Sequence, residues 1–61
     1  MNKYYYEVGI EDRRVFFESE VDCNGNERRI VEESRKLGLV DEYELVDYGI
    51  EITEDKYKDN I

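Results

Sequence analysis

The sequence predicts a small α+β domain of order ββαβ, a three-stranded antiparallel sheet of spatial order 2-1-3 with one helix packed on one face. Three observations carry this expectation. Two runs alternate between apolar and polar residues on either side of a short charged stretch. A stripe at helical spacing ends at a glycine followed by a leucine. A third alternating run follows, and a helix crossing one face of the hairpin would deliver it beside the first strand. With 61 residues there is surface for one core only, because a domain of this size buries only about 60% of what its unfolded chain exposes. Residues 1–61 are therefore expected to form a single domain, with 54–61 as a polar tail that frays or makes one helical turn behind Thr53.

The first run places Tyr4, Tyr6, Val8 and Ile10 on one side and Tyr5, Glu7, Gly9 and Glu11 on the other. Val15, Phe17, Ser19 and Val21 form the second run, and Glu11-Asp12-Arg13-Arg14 between them has the length of a hairpin loop. Pairing Ile10 with Val15 sets Val8 opposite Phe17, Tyr6 opposite Ser19 and Tyr4 opposite Val21, so both inner faces coincide. The same register puts Phe16 across from Gly9, an aromatic ring over a glycine. It also puts Glu7 opposite Glu18, a like-charge pair that an acidic outer face would have to tolerate.

Asp22-Cys23-Asn24-Gly25-Asn26 breaks the alternation with turn residues, and Asn24 or Asn26 can cap the following helix. That helix is expected from about Asn26 to Leu37, with Ile30, Val31, Ser34 and Leu37 as its apolar stripe and Glu32 spaced to meet Lys36. Gly38-Leu39 resembles a Schellman stop. From Tyr43 to Thr53 the chain returns to strand character, with Val46, Tyr48, Ile50 and Ile52 in phase and Tyr43 and Leu45 out of phase. The slip implies a bulge near Leu45 or Val46.

The composition narrows the chemistry. No histidine and no glycine-rich phosphate loop is present, and the chain has little mass from which to wall a cleft, so it is not expected to be an enzyme. Cys23 is the only cysteine, which leaves no intramolecular disulfide and no Cys/His metal cluster. It precedes a helix N-terminus, where a thiol can be activated, yet no partner base accompanies it, and it reads as a small apolar plug beneath the turn. The stretch from Asp22 only faintly follows a calcium loop, since the glutamate at the twelfth place, Glu33, falls inside the expected helix. Neither metal nor cofactor is expected. No apolar stretch approaches the roughly 18 residues of a spanning helix, and Met1-Asn2-Lys3-Tyr4 does not begin a signal peptide. A soluble, cytoplasmic protein with no membrane partner is the expectation.

Seventeen acidic residues against nine basic ones give a net charge of −8, which repels a phosphate backbone and argues against direct nucleic-acid binding. Seven carboxylates lie between Asp41 and Asp55 with no basic residue among them, while Glu7, Glu18 and Glu20 are expected on the open sheet face, joined by Glu51 if the third strand pairs with the first. An acidic surface can serve solubility alone. Rows of carboxylates on a rigid sheet can also imitate a phosphate backbone and occupy a basic groove. Tyr5 and Phe16 would border them as aromatic anchors. The partner-binding set read from the sequence is therefore Tyr5, Glu7, Phe16, Glu18, Glu20, Glu44, Asp47 and Glu51.

In size, acidity and lack of catalytic groups the chain is similar to the small inhibitors that phages and mobile elements encode against CRISPR effectors or restriction enzymes. The likeness is one of composition and carries no individual residue across. It implies a stoichiometric inhibitor, acting in a host cytoplasm, that docks on a basic nucleic-acid channel of a protein and competes with DNA or guide RNA. The alternative is a self-associating accessory module, a homodimer in which the strand Val15 to Val21 or the third strand pairs with its twin.

Overall fold

The computed structural model describes residues 2–61. Strand β1 (Tyr4–Ile10) and strand β2 (Arg13–Ser19) form a hairpin, helix α1 (Glu27–Lys36) follows, then strand β3 (Val46–Ile52) and a second short helix α2 (Glu54–Asp59). The sheet has the order β2-β1-β3, and both pairings are antiparallel. The expected fold class and strand order are present, and of the two alternatives for the segment behind Thr53 the helical one is taken, as α2.

The hairpin register differs from expectation by two residues. Val15 lies opposite Val8, Phe17 opposite Tyr6 and Ser19 opposite Tyr4, while Ile10 faces Arg13. The loop is the two-residue Glu11-Asp12 rather than four residues, and Arg13 and Arg14 belong to the strand. A shift of two preserves which side chains face the core, so the period-2 pattern cannot distinguish the registers. Charge and packing can. In the observed register Glu18 faces Tyr5 instead of Glu7, which removes the like-charge pair. Tyr6 and Phe17 now meet, their ring centroids 5.4 Å apart. Phe16 lies opposite Glu7 rather than Gly9.

Direct cross-strand partners share a face of the sheet. Tyr6, Val8, Val15 and Phe17 thus form one face, and with Cys23, Ile30 and Val40 they make the buried core. Helix α1 packs mainly over β3 and β1. It lies close over Gly49, where a Cβ would meet Val31 Cγ2 at 3.2 Å and Ile30 Cγ2 at 3.3 Å. The absent side chain at Gly49 sets the helix-to-sheet distance.

Helix α1 begins where the sequence supplies a cap. Asn26 accepts the Arg29 N–H at 3.2 Å, after a turn in which Asn24 and Gly25 take positive φ (57° and 69°) and the Asn26 N–H reaches the Cys23 carbonyl at 2.9 Å. Its end is the expected Schellman motif. Gly38 takes φ 75°, its N–H donates to the Arg35 carbonyl at 3.1 Å, and the Leu39 N–H reaches back to Ser34 at 3.0 Å. Ile30 and Ser34 are buried, but Leu37 at the C-cap is half exposed. Glu32 pairs backwards with Arg28 at 3.9 Å instead of with Lys36.

The irregularity expected near Leu45 or Val46 falls at Asp47. Tyr48 pairs with Gly9 and Val46 with Ile10, leaving Asp47 as the extra residue. The bulge turns Val46 onto the core and leaves Tyr48, Ile50 and Ile52 on the opposite face. Tyr43 and Leu45 precede the strand rather than belong to it.

Tyr6 ties these layers together. Its ring is fully buried, and its hydroxyl donates to the Val21 carbonyl at 2.6 Å while accepting the Cys23 N–H at 2.9 Å. Burial pushes the phenol pKa well above its ordinary value. Tyr6→Phe leaves a buried donor and a carbonyl without this partner and is expected to cost about 1–3 kcal/mol. A thermal unfolding curve measures this, at roughly 4–8 °C per kcal/mol for a domain of this size.

Candidate functional site

The sheet face turned away from α1 carries Tyr5, Glu7 and Gly9 from β1, Arg14, Phe16 and Glu18 from β2, and Tyr48, Ile50 and Ile52 from β3. Helix α2 lies against it. Thr53 caps α2 by accepting the Lys56 N–H at 3.2 Å, with Glu54 and Asp55 in the first turn and Lys56 and Lys58 in the last. Tyr57 packs on Tyr5 with ring centroids 5.0 Å apart.

Glu7 is enclosed at the centre of this face, 3% exposed. The Tyr48 hydroxyl donates to its Oε2, and Lys56 Nζ lies 3.1 Å from its Oε1. Oε1 receives no hydrogen bond of good geometry, so the ammonium answers it by charge. Burial pushes the carboxyl pKa up, but the Tyr48 hydrogen bond and the Lys56 ammonium outweigh it, and the net shift is downward. The Tyr48 phenol is raised in turn, first by that hydrogen bond and then by burial. Its ring lies where a Cβ at Gly9 would stand. A ring does cover Gly9, but it comes from β3 and not from Phe16.

The eight residues expected to bind a partner do not form one surface. Glu7 is internal and ion-paired, a correction to its expected place on an open acidic face. Glu51 pairs with Tyr6 and so belongs to the α1 face, opposite to the one expected. Tyr5 and Phe16 are half-buried, Tyr5 beneath Tyr57. Glu18 is exposed on the α2 face, 3.7 Å from Lys3. Glu20 is exposed beyond the end of β2, and Asp47 is exposed at the bulge. Glu44 lies in the loop before β3, paired with Arg13. The bulge at Asp47 puts Glu51 on the α1 face, and the Lys56 ion pair encloses Glu7, so the carboxylates do not share one surface.

Glu44, which the alternation predicts to lie in a strand, organises a loop. Arg13 Nη2 donates to both of its carboxylate oxygens, at 2.8 and 2.9 Å, and its Oε1 also accepts the Asp41 N–H at 2.9 Å. The Asp41 N–H and the Arg13 guanidinium hold the Glu44 pKa below its ordinary value. Arg35 donates to the Glu44 carbonyl at 3.1 Å, and Asp41 Oδ1 accepts the Tyr43 N–H at 3.1 Å. The loop is clamped between the hairpin and the helix. Tyr43 and Leu45, which flank Glu44, are 86% and 83% exposed. They share a surface depression with Ile10, Glu11 and Asp12 of the hairpin end. Their opposite phase to Val46 and Tyr48 was the one signal in the sequence that set them apart.

Among the described residues no group of three or more histidines, cysteines or carboxylates is arranged to hold a metal ion. No described helix is long and apolar enough to cross a membrane. The chain matches no protein-family model, and neither a curated protein nor a solved structure is significantly similar to it.

The lowered Glu7 pKa has a defined consequence for stability. A carboxyl whose folded-state pKa lies below its unfolded value of about 4.3 contributes fully above that pH and loses the contribution as pH falls through the folded value. Glu7→Gln is expected to destabilise most near neutrality, with the gap from the unmodified chain closing below about pH 4. Urea denaturation across a pH series checks this, and a gap that stayed constant into acid would contradict it.

Proposed function

We propose that this chain is a non-enzymatic, acidic protein-binding regulator that docks on a basic groove of a nucleic-acid-handling protein, with Tyr43 and Leu45 as its apolar anchors. One observation supports the reading above the others. Two large apolar side chains stand almost fully exposed on a loop that the Arg13 and Arg35 side chains and the Asp41 backbone N–H hold in place through Glu44. A pre-ordered loop gives up little conformational freedom on binding, and tyrosine is enriched at interface hot spots.

The charge around that loop favours a basic partner. Asp41, Glu42 and Asp47 flank the anchors in sequence, and Glu11 and Asp12 border them across the depression. Among the described residues none of these five carboxylates lies in an ion pair. Such an end speeds association with a basic surface and penalises an acidic one. On a groove built for DNA or guide RNA the docked chain would exclude the nucleic acid, which is the inhibitor mode that its composition suggests. The interface then lies at the hairpin end and not on the open sheet.

A tagged-protein capture from the producing cell, in low and high salt, compares the unmodified chain with Tyr43→Ala/Leu45→Ala. Expected is a nucleic-acid-handling protein that is retained at low salt, released at high salt, and lost from the variant. Equal capture by both chains would overturn the anchor assignment, and a partner without a basic surface would overturn the proposed target class.

A further inference from the structure

Strand β2 is an edge of the sheet, and its backbone is placed to accept another strand. In a hairpin closed by two residues, the flanking pair exchanges hydrogen bonds. Ile10 and Arg13 are that pair here, so the N–H and C=O groups of Arg14, Phe16 and Glu18 point away from β1. Helix α1 lies mainly over β3 and β1. The outward groups of a strand of this kind are a template for β-addition.

The side chains state which strand fits. We propose that a second copy of this chain pairs antiparallel along β2, with Phe16 opposite the partner's Phe16 and a two-fold axis between them. Because the strand reads Arg13-Arg14-Val15-Phe16-Phe17-Glu18-Ser19, that register sets Arg14 opposite the partner's Glu18 and Glu18 opposite the partner's Arg14. Val15 and the partner's Phe17 meet on the other face. The three outward-pointing positions are the ones that pair across the axis, giving about six backbone hydrogen bonds between the copies. Both faces therefore match in the one register that uses the whole strand.

Three further features agree with this choice of edge. Strand β2 carries two arginines against one glutamate, in a chain whose net charge is −8, so it is a segment along which two acidic copies can approach. Strand β3, the other edge, pairs badly with itself. Centred on Gly49 it would set Asp47 opposite the partner's Glu51 twice, and like charges directly opposite are unfavourable. Two apolar side chains also stand beside β2: Val21 and Leu37 are half exposed in a depression that they share with Ser19 and the charged Lys3, Glu18, Glu20 and Glu33. A neighbouring copy would cover them. The weak Lys3–Glu18 contact at 3.7 Å is all that Glu18 gives up.

This interface is separate from the Tyr43–Leu45 end, and a charge-reversal series tests it on the full chain by sedimentation equilibrium between about 1 µM and 1 mM. Expected is a reversible monomer–dimer equilibrium in the unmodified chain and in Tyr43→Ala/Leu45→Ala. Arg14→Glu and Glu18→Arg, each of which sets like charges opposite one another twice, are expected to weaken the dimer roughly tenfold or more. The double reversal R14E/E18R restores the pairs and is expected to recover most of the affinity. Far-UV circular dichroism confirms that each variant folds, and E18R, which alters an exposed residue with a single weak contact, carries the test alone if R14E does not. A monomer throughout that range, a double reversal no better than the single ones, or loss of the dimer in Tyr43→Ala/Leu45→Ala would each overturn the proposal.

Discussion

In a sheet only three strands wide, the middle strand decides whether anything is buried on both sides, and here β1 must be covered twice. Tyr6 and Val8 lie fully enclosed on one face and Glu7 almost so on the other. The first covering depends on the Tyr6 hydroxyl. By holding the Val21 carbonyl and the Cys23 N–H, it fixes the path by which the chain leaves β2 and enters α1. Cys23 is thereby seated in the core, and Asn24 to Asn26 turn directly into the helix cap. A phenylalanine in its place would fill the same volume without directing the loop, which is why a polar atom stands at the centre of so small a core.

The second covering is of a different kind, because it is built around a charge. A carboxylate enclosed in a thin domain is tolerable only with a hydrogen bond and an opposite charge close by. Tyr48 supplies the first from β3 and Lys56 the second from α2. The pair joins the central strand to the last element of the chain. A helix of six residues cannot hold itself in water. Helix α2 is held by its Thr53 cap, by Tyr57 on Tyr5, and by Lys56 on Glu7, so the acid that looked like surface in the sequence is the anchor of a second layer.

Which features could be read from the residues follows from the range of the interaction concerned. The strands, the α1 cap at Asn26 and the stop at Gly38 are encoded within a few residues and were legible. Face assignment of β1 and β2 was equally so, because it depends only on alternation. The absolute register was not, since a shift of two leaves every side chain on the same face and the choice is made by the two-residue turn and by Glu18 avoiding Glu7. The burial of Glu7 depends on Lys56, almost the whole chain away. The sidedness of Glu51 depends on the bulge at Asp47 and the pairing of β3 with β1. Both are long-range consequences, and the expected acidic face failed to assemble for that reason.

Charge placement links these coverings to what remains on the outside. Lysine and arginine side chains accompany the acids that the fold needs to hold: Lys56 with Glu7, Arg13 with Glu44, Lys58 with Glu54. Glu11, Asp12, Asp41, Glu42 and Asp47 have no such companion among the described residues, and they lie around Tyr43 and Leu45, two strongly exposed apolar side chains. Solubility alone would be served by carboxylates scattered anywhere. It does not require Glu44 to fasten the Tyr43–Leu45 loop to both Arg13 and Arg35, and a loop fastened in that way presents its apolar groups in one geometry. The same arginine that begins β2 thus holds the anchor loop at one end of the molecule, while the next one along, Arg14, stands on the open edge with Glu18 two pairs away. Partner docking at the loop and self-pairing along β2 would then adjoin at Arg13, the residue that the fold uses to join the two.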